Sequence, residues 1–588
     1  MENRVTNCRM IPLSEDYADF IVNFSGSDKM VIETFGGECY QRISASYGTL
    51  YASILQSYPL SIQDYGYNAI PALYGLMERS ITINQANKET ALENSGILRL
   101  QNQPAVRLRG QGCIMAFIDT GINIDDDEFR FSNGETRILR LWDMTDNSGT
   151  PPDGILFGSE YTSDMINKIL SESNSNTKSE IDTNAASDIK SASDIKSASD
   201  TNVTSNDRLR SATVYPGHDD LNHGNILAKI GAGNTGAAPE SYIVVVKLKQ
   251  AKQYLREYYY LDKGVPAYQE NDIMLAVNYV RNVALNLQIP VSLCLALGTN
   301  SRGHDGSSAL SYIIDSFSGS TGENVCISGG DEGNKQLHAS GVVQSENESV
   351  DIELRIDERQ NGIIINIWGD RQQIFSVGIM SPTGESIPKV PARIGKSEKY
   401  RLIFDNTTVT IEYDLVESNS SDELIIIRLD KPTPGIWTIK VYGNNLVSGR
   451  FNAYIPISQF ISENTYFLEP DPNITITDPS YARKAITTTL FDPINNALYI
   501  NNGRGYGRDG SIKPDIASPV SAAVTAGAAA LFLTWGVVNE NDVSLKSSDV
   551  KSYLIRGADR NPDINYPNRE QGWGYLNVYG AFERLRGL

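Results

Sequence analysis

Four near-continuous apolar runs set the tightest limit on what this chain can fold into. They are Gly110-Gln-Gly-Cys-Ile-Met-Ala-Phe-Ile-Asp-Thr-Gly, Ser241-Tyr-Ile-Val-Val-Val-Lys-Leu, Pro290-Val-Ser-Leu-Cys-Leu-Ala-Leu-Gly and Asn324-Val-Cys-Ile-Ser-Gly-Gly. A strand with one wet face alternates apolar and polar residues. Runs without alternation suit parallel strands covered on both faces. Between the second and third runs, Asp272 to Leu287 carries apolar residues at Met274, Val277, Val280 and Val283, the spacing of a helix. Strand, helix and strand in series predict a doubly wound α/β sheet.

Other stretches have a different character. Residues 1–93 contain the strand-like Asp19-Phe-Ile-Val-Asn-Phe and a Tyr-, Leu- and Ile-rich stretch from Ser46 to Met77, as expected of a small α+β unit. Within 171–207 the words ASDIKSASDIKSASD repeat with no aromatic residue. Such a segment cannot bury enough apolar surface to offset its ordering entropy, so a disordered surface loop is expected there. From 343 to 478 the short runs DIELRI, GIIINIWG, TVTIEYDLV, ELIIIRL and GIWTIKVYG predict a β-sandwich inserted into the α/β unit. After 479 the α/β character returns, and Ser521 to Trp535 is small and apolar on all sides, as in a fully buried helix. The expected division is therefore 1–93, 94–342 with the 171–207 insert, 343–478, and 479–588.

Composition narrows the partners. The 588 residues carry a net charge of -20, which argues against nucleic acid or an anionic membrane surface. No apolar run is long enough to cross a bilayer. The start lacks a basic segment followed by an apolar stretch, so no secretory signal is expected and synthesis in the cytoplasm is. The five cysteines, Cys8, Cys39, Cys113, Cys294 and Cys326, are scattered and without metal-ligand spacing. Neither a metal site nor a disulfide framework is expected, and no cofactor is implied.

Three words carry chemistry. Ile118-Asp-Thr-Gly-Ile places Asp119 at the end of a buried strand. Asn222-His-Gly-Asn-Ile-Leu-Ala-Lys-Ile-Gly-Ala-Gly places His223 at the opening of a helix. Lys513-Pro-Asp-Ile-Ala-Ser-Pro-Val-Ser-Ala-Ala-Val-Thr-Ala-Gly-Ala-Ala-Ala-Leu leads into the buried helix. Together they resemble the Asp, His and Ser blocks of subtilisin-type serine proteases, in that order.

The chain more specifically resembles the Csp germination proteases of spore-forming clostridia, subtilisin-like proteins with a prodomain and an inserted jelly-roll β-domain. The matching words are ALENSGILRLQNQP, FGSEYT, SLCLALGTN, FSVGIMSPTGE, KPTPGIWTIKVYG and RGYGRDGSIKPDIASP. The resemblance implies the subtilisin fold, with 1–93 as prodomain. It assigns Asp119 as the residue that orients the histidine and His223 as the general base.

The third block departs from the pattern. Counting back from Gly527, the nucleophile position falls on Pro519, preceded by Ala517 and Ser518 where Gly and Thr are expected. In a second alignment the loop before the nucleophile turn is deleted and Pro519 ends the Lys-Pro-Asp-Ile segment, fused directly to the helix. Ser518 and Ser521 are off register. Two residues of helix turn through about 200°, so Ser521 is expected to point away from the site. At the oxyanion position Asp331 replaces the amide-bearing Asn, and a carboxylate only accepts hydrogen bonds. Ala296-Leu297-Gly298 replaces the usual Ser-Leu-Gly beside the substrate.

The resemblance thus implies a catalytically inactive member, CspC- or CspA-like. It would be a pseudoprotease regulating spore germination in the outer layers or cortex region of the spore. Its implied partners are a sibling Csp protease or pseudoprotease, a cortex-lytic pro-enzyme, or a small-molecule germinant. The competing readings are an active endopeptidase with a displaced serine, and a scaffold that occupies another protease through its N-terminal unit.

Overall fold

The computed structural model describes residues 8–79, 85–104, 106–172, 215–346 and 348–585. The expected loop at 171–207 lies, apart from its first two residues, outside the described residues.

The apolar runs form the centre of one large sheet. The strands Ile114–Asp119, Tyr242–Lys247, Val291–Leu295 and Glu323–Ser328 are mutually parallel, and every side chain of the first, third and fourth is buried. Ile138–Asp143 extends the sheet in parallel on one side and Ile486–Asp492 and Ile516–Pro519 on the other, with antiparallel edges at Ser159–Thr162 and Ala497–Leu498. Burial on both faces is visible within a single strand. Met115 and Phe117 pack against the helices His223–Gly231 and Ala522–Leu533, while Ile114, Ala116 and Ile118 face Glu270–Leu287 and Ala309–Ser318. The strand order reverses beside Ile114–Asp119, between its neighbours Tyr242–Lys247 and Val291–Leu295. A crevice at the carboxyl ends of the strands is where such sheets hold ligands.

The insert is two antiparallel sheets of six and five strands with a shared apolar core. It begins at 338 rather than 343, because His338–Val342 pairs with Arg450–Tyr454 of the sandwich. Buried Arg508, from the α/β unit, bonds to Asp422 at 2.6 Å and lies over Trp368 at 4.9 Å, fastening the sandwich to the sheet domain.

The N-terminal unit is a three-stranded antiparallel sheet, Tyr17–Asn23, Cys39–Arg42 and Tyr47–Ser53, with a helix over Asp28–Phe35. Two features correct the reading from sequence. Cys8 and Cys39 form a disulfide, because the fold brings positions 31 residues apart to a Cα separation of 5.9 Å. Ala91 and Leu92, placed by sequence in the first unit, belong to the core of the α/β unit.

Charged side chains join the N-terminal unit to the rest. Lys252 pairs with buried Asp19 at 2.5 Å, and Asp19 also accepts from Gln269 at 2.9 Å. Ser61 donates to Glu412 of the sandwich at 2.7 Å. Among the described residues no helix is long and apolar enough to cross a membrane, and no group of three or more His, Cys, Asp and Glu could hold a metal ion.

Candidate functional site

The crevice at the reversal point collects the sequence-predicted residues. Asp119 is the last residue of its strand and is almost fully buried. Its Oδ1 accepts from the Thr120 amide at 2.7 Å, from the Thr120 hydroxyl at 3.0 Å, and meets His223 Nδ1 at 2.7 Å. The Thr120 hydroxyl in turn accepts from the Gly224 amide at 3.0 Å, which ties the strand end to the helix that carries the histidine. Position 224 must be glycine for this approach. A Cβ there would stand 2.5 Å from the Gly121 carbonyl oxygen and 3.0 Å from the Asp119 Cβ. The Asp-Thr-Gly and His-Gly words are therefore one contact seen from two sides.

His223 faces two acceptors. Nδ1 meets Asp119, and Nε2 lies 2.6 Å from the backbone carbonyl of Met77. Bonding both oxygens at once requires a proton on each ring nitrogen, which makes the ring an imidazolium. Burial pulls its pKa down, but the Asp119 charge and hydrogen bond, the Met77 carbonyl and the Glu78 charge outweigh that and raise it to about 9.

The origin of that carbonyl is not foreseeable from the sequence. Residues Leu73–Leu76 of the N-terminal unit form a short strand lying in the crevice. It pairs antiparallel with Tyr268–Gln269 on one side and Leu297–Gly298 on the other. Met77 continues it, donating its amide to the Ala296 carbonyl at 2.8 Å. Gln459, from the segment between the sandwich strands Arg450–Tyr454 and Tyr466–Phe467, accepts from the Leu76 amide at 2.9 Å. Ala296-Leu297-Gly298 pairs with this strand through peptide groups, so the pairing does not depend on the side chain at 296.

Glu78 comes next, with a left-handed φ of 64°. Its carboxylate is buried against the start of the helix Ala522–Leu533. Oε2 accepts from the Ser521 hydroxyl at 2.7 Å and Oε1 from the Ala522 amide at 3.0 Å. Burial pushes the Glu78 carboxyl up, and these donors act against that.

Pro519 ends the strand Ile516–Pro519, opposite Phe491, with no intervening loop. The strand passes to the helix through Val520, whose φ of 56° is strained for a β-branched residue. Ser518 is buried in this turn, donating to the Ser521 carbonyl at 2.7 Å and accepting from Thr525 at 2.8 Å. Ser521 does not point away, contrary to the sequence expectation. The helix begins at Ala522, so Ser521 is its extended N-cap (φ -160°), and helical rotation does not apply to it. It lines a cavity of about 240 Å³ together with Leu76, Glu78, His223, Leu227 and Gln459.

Asp331 follows the strand Glu323–Ser328 in a tight Gly329-Gly330 turn. Its Oδ1 is buried with no hydrogen-bond partner among the described residues, and burial raises its pKa despite Arg79. The neighbouring Glu332 carboxyl is pushed up to about 7 by burial and by the Asp331 charge.

Neither a family model nor a curated protein matches the sequence. Solved structures do. The CspB protease of Clostridium perfringens superposes with a TM-score of 0.69 at 23% identity, covering 84% of this chain and 97% of that one. Fervidolysin from Fervidobacterium pennivorans, a keratinolytic enzyme related to subtilisin, gives a TM-score of 0.42 at 9% identity over 96% of this chain and 61% of its own. The chain has a subtilisin-like protease fold with an inserted β-sandwich.

Proposed function

We propose that this chain is a subtilisin-like pseudoprotease that regulates spore germination by binding. The observation that carries the loss of catalysis is the engagement of His223. A serine protease needs a hydroxyl on the second ring nitrogen of its base. Here that nitrogen meets the Met77 carbonyl, and Pro519 stands at the end of the strand where the nucleophile turn is expected. Asp331 adds a second loss, since no amide donor stands at that position. The germination role rests on the resemblance to the Csp proteins. The proposed partners are a sibling Csp protease or pseudoprotease, a cortex-lytic pro-enzyme or a small germinant, and the proposed location is the spore.

Two experiments test this. Incubation with a fluorophosphonate probe should label no serine, and the protein recovered from spores should run near 64.7 kDa with its N-terminal unit attached. Deleting the gene should slow germinant-triggered cortex hydrolysis. Labelling would overturn the pseudoprotease reading, and wild-type germination across several germinants would overturn the regulatory one.

One observation favours a second reading, an active endopeptidase using Ser521. That residue shares the cavity with His223 and follows a strained turn between strand and helix. A serine presented on such a turn is how some hydrolases expose their nucleophile. Against it, the Ser521 hydroxyl is given to Glu78. The fluorophosphonate experiment separates the two, because the label would map to Ser521.

A further inference from the structure

The crevice holds a feature that loss of catalysis does not require, a fitted seat for one carboxylate. Met77 anchors the tail through both backbone groups, its amide to Ala296 and its carbonyl to His223. The next side chain, Glu78, is 6% exposed and turns back into the wall. Ser521 has its hydroxyl oxygen occupied by the Ala523 amide at 3.1 Å, which aims its proton at Glu78. The Ala522 amide, otherwise an orphan donor in the first turn of a twelve-residue helix, takes the second carboxylate oxygen. Both oxygens accept, as an ionised carboxylate does. The imidazolium of His223 adds a favourable charge from the side.

We propose that this crevice is a peptide-binding groove that selects an acidic side chain directly after the residue whose carbonyl meets His223. Residues Leu73 to Glu78 are its resident ligand. A partner segment that displaces them is extended, apolar at the position of Leu76 and Met77, and carries Asp or Glu next. The proposal deepens the reading of the chain as a binder and rests on it only in treating the crevice as a site that holds peptide. Backbone pairing on both sides supplies affinity without sequence preference, and the carboxylate seat supplies the preference. The seat is formed by Ser521 and by the direct joining of strand to helix at Val520, the same segment in which the nucleophile block is lost.

The test uses the full-length chain with residues 73–79 replaced by a Gly-Ser linker of equal length, which empties the groove. A fluorescein-labelled peptide of sequence Ala-Leu-Tyr-Gly-Leu-Met-Glu-Arg-Ser is titrated in, with Gln and Lys versions at the Glu position. The Glu peptide should bind on the order of ten-fold or more tightly than the Gln peptide, as losing charge-assisted bonds implies. Ser521→Ala should erase much of that ratio, weakening the Glu peptide more than the Gln peptide, because a charge-assisted bond is lost from the first and a neutral one from the second. Equal affinity for the Glu and Gln peptides, or no binding of any peptide to folded protein, overturns the proposal. Should the emptied chain not fold, the intact chain with Glu78→Gln and Glu78→Lys is followed by amide hydrogen exchange. Exchange of residues 73–78 should quicken about ten-fold in both, and unchanged exchange overturns the proposal. Mass analysis of the peptide after binding keeps the two readings apart. Cleavage after Met would sink the pseudoprotease reading and leave the acid preference to be judged by the affinities alone.

Discussion

The two ends of the crevice are built differently. At one end Asp119, Thr120, His223 and Gly224 form a closed set of hydrogen bonds between a strand end and a helix start. At the other end, strand and helix are joined by two residues, Val520 and Ser521, and no free hydroxyl is presented. Both ends sit on equally buried elements, so burial alone does not explain the difference. The first end is held because each of its parts supports the others. Removing Asp119 would leave a buried imidazolium, and enlarging Gly224 would drive a side chain into Asp119. The second end has no such closure. What its helix requires is a cap and close packing, and Ser521 and the small residues around Gly527 provide both. A Cβ on Gly527 would come within 2.3 Å of the Ala237 Cβ. If the proposed pseudoprotease reading holds, catalytic residues have persisted where they also hold the fold together.

The largest effect should come from breaking the closed end. Asp119→Ala leaves His223 without its charge partner, and losing one member of a buried pair costs roughly 3–5 kcal/mol. Urea denaturation should show this as a large fall in midpoint. Adding His223→Ala should recover part of it, because the unpaired charge is then gone. A double variant as unstable as the sum of the single ones would mean the two residues are not coupled.

The same pair gives the stability a pH dependence. His223 titrates near 6.5 when unfolded and at about 9 when folded. A raised pKa contributes stability that is fully present below 6.5 and is lost as pH rises through 9. The melting temperature should therefore fall across that window, by the equivalent of a few kcal/mol at most, and His223→Gln should flatten the profile. A profile that keeps its slope in the variant would assign the effect to groups other than His223.

Much of this architecture is legible in the sequence, for reasons that differ by region. The apolar runs name the parallel strands because only double burial tolerates them. Asp119 and His223 are legible because each stands in a word whose glycine has a single steric purpose. The strand Leu73–Leu76 is not legible. Four residues have no periodicity of their own, and this strand exists because two neighbours pair with it. The direction of Ser521 is not legible either, because composition alone lets the helix start at Pro519, while the chain delays it to Ala522. The Cys8–Cys39 disulfide escapes the sequence because proximity across 31 residues is a property of the fold.

A smaller effect should sharpen the comparison from the open end. Ser521→Ala removes the helix cap on Ala523 and the bond to Glu78. Loss of an N-cap typically costs about 1 kcal/mol, so the urea midpoint should fall modestly, well short of Asp119→Ala. A loss as large as that of Asp119 would show that the open end is as closely built as the other.

The smallest effect is expected from restoring the missing hydroxyl. Pro519→Ser places a serine at the counted nucleophile position, next to Val520 and at the end of a strand. Proline is confined to strand ends and edges, so replacing it there should change stability by less than about 1 kcal/mol. No fluorophosphonate labelling should appear. The restored side chain would stand on a strand and not on the first turn of a helix, His223 would still be donating to Met77, and Asp331 would still offer no amide to an oxyanion. Groups that act as a unit in catalysis give little when only one is returned. Labelling of the Pro519→Ser variant at the introduced hydroxyl, faster than at a surface serine, would show that the two ends remain in register, and that a single substitution separates this crevice from an active one.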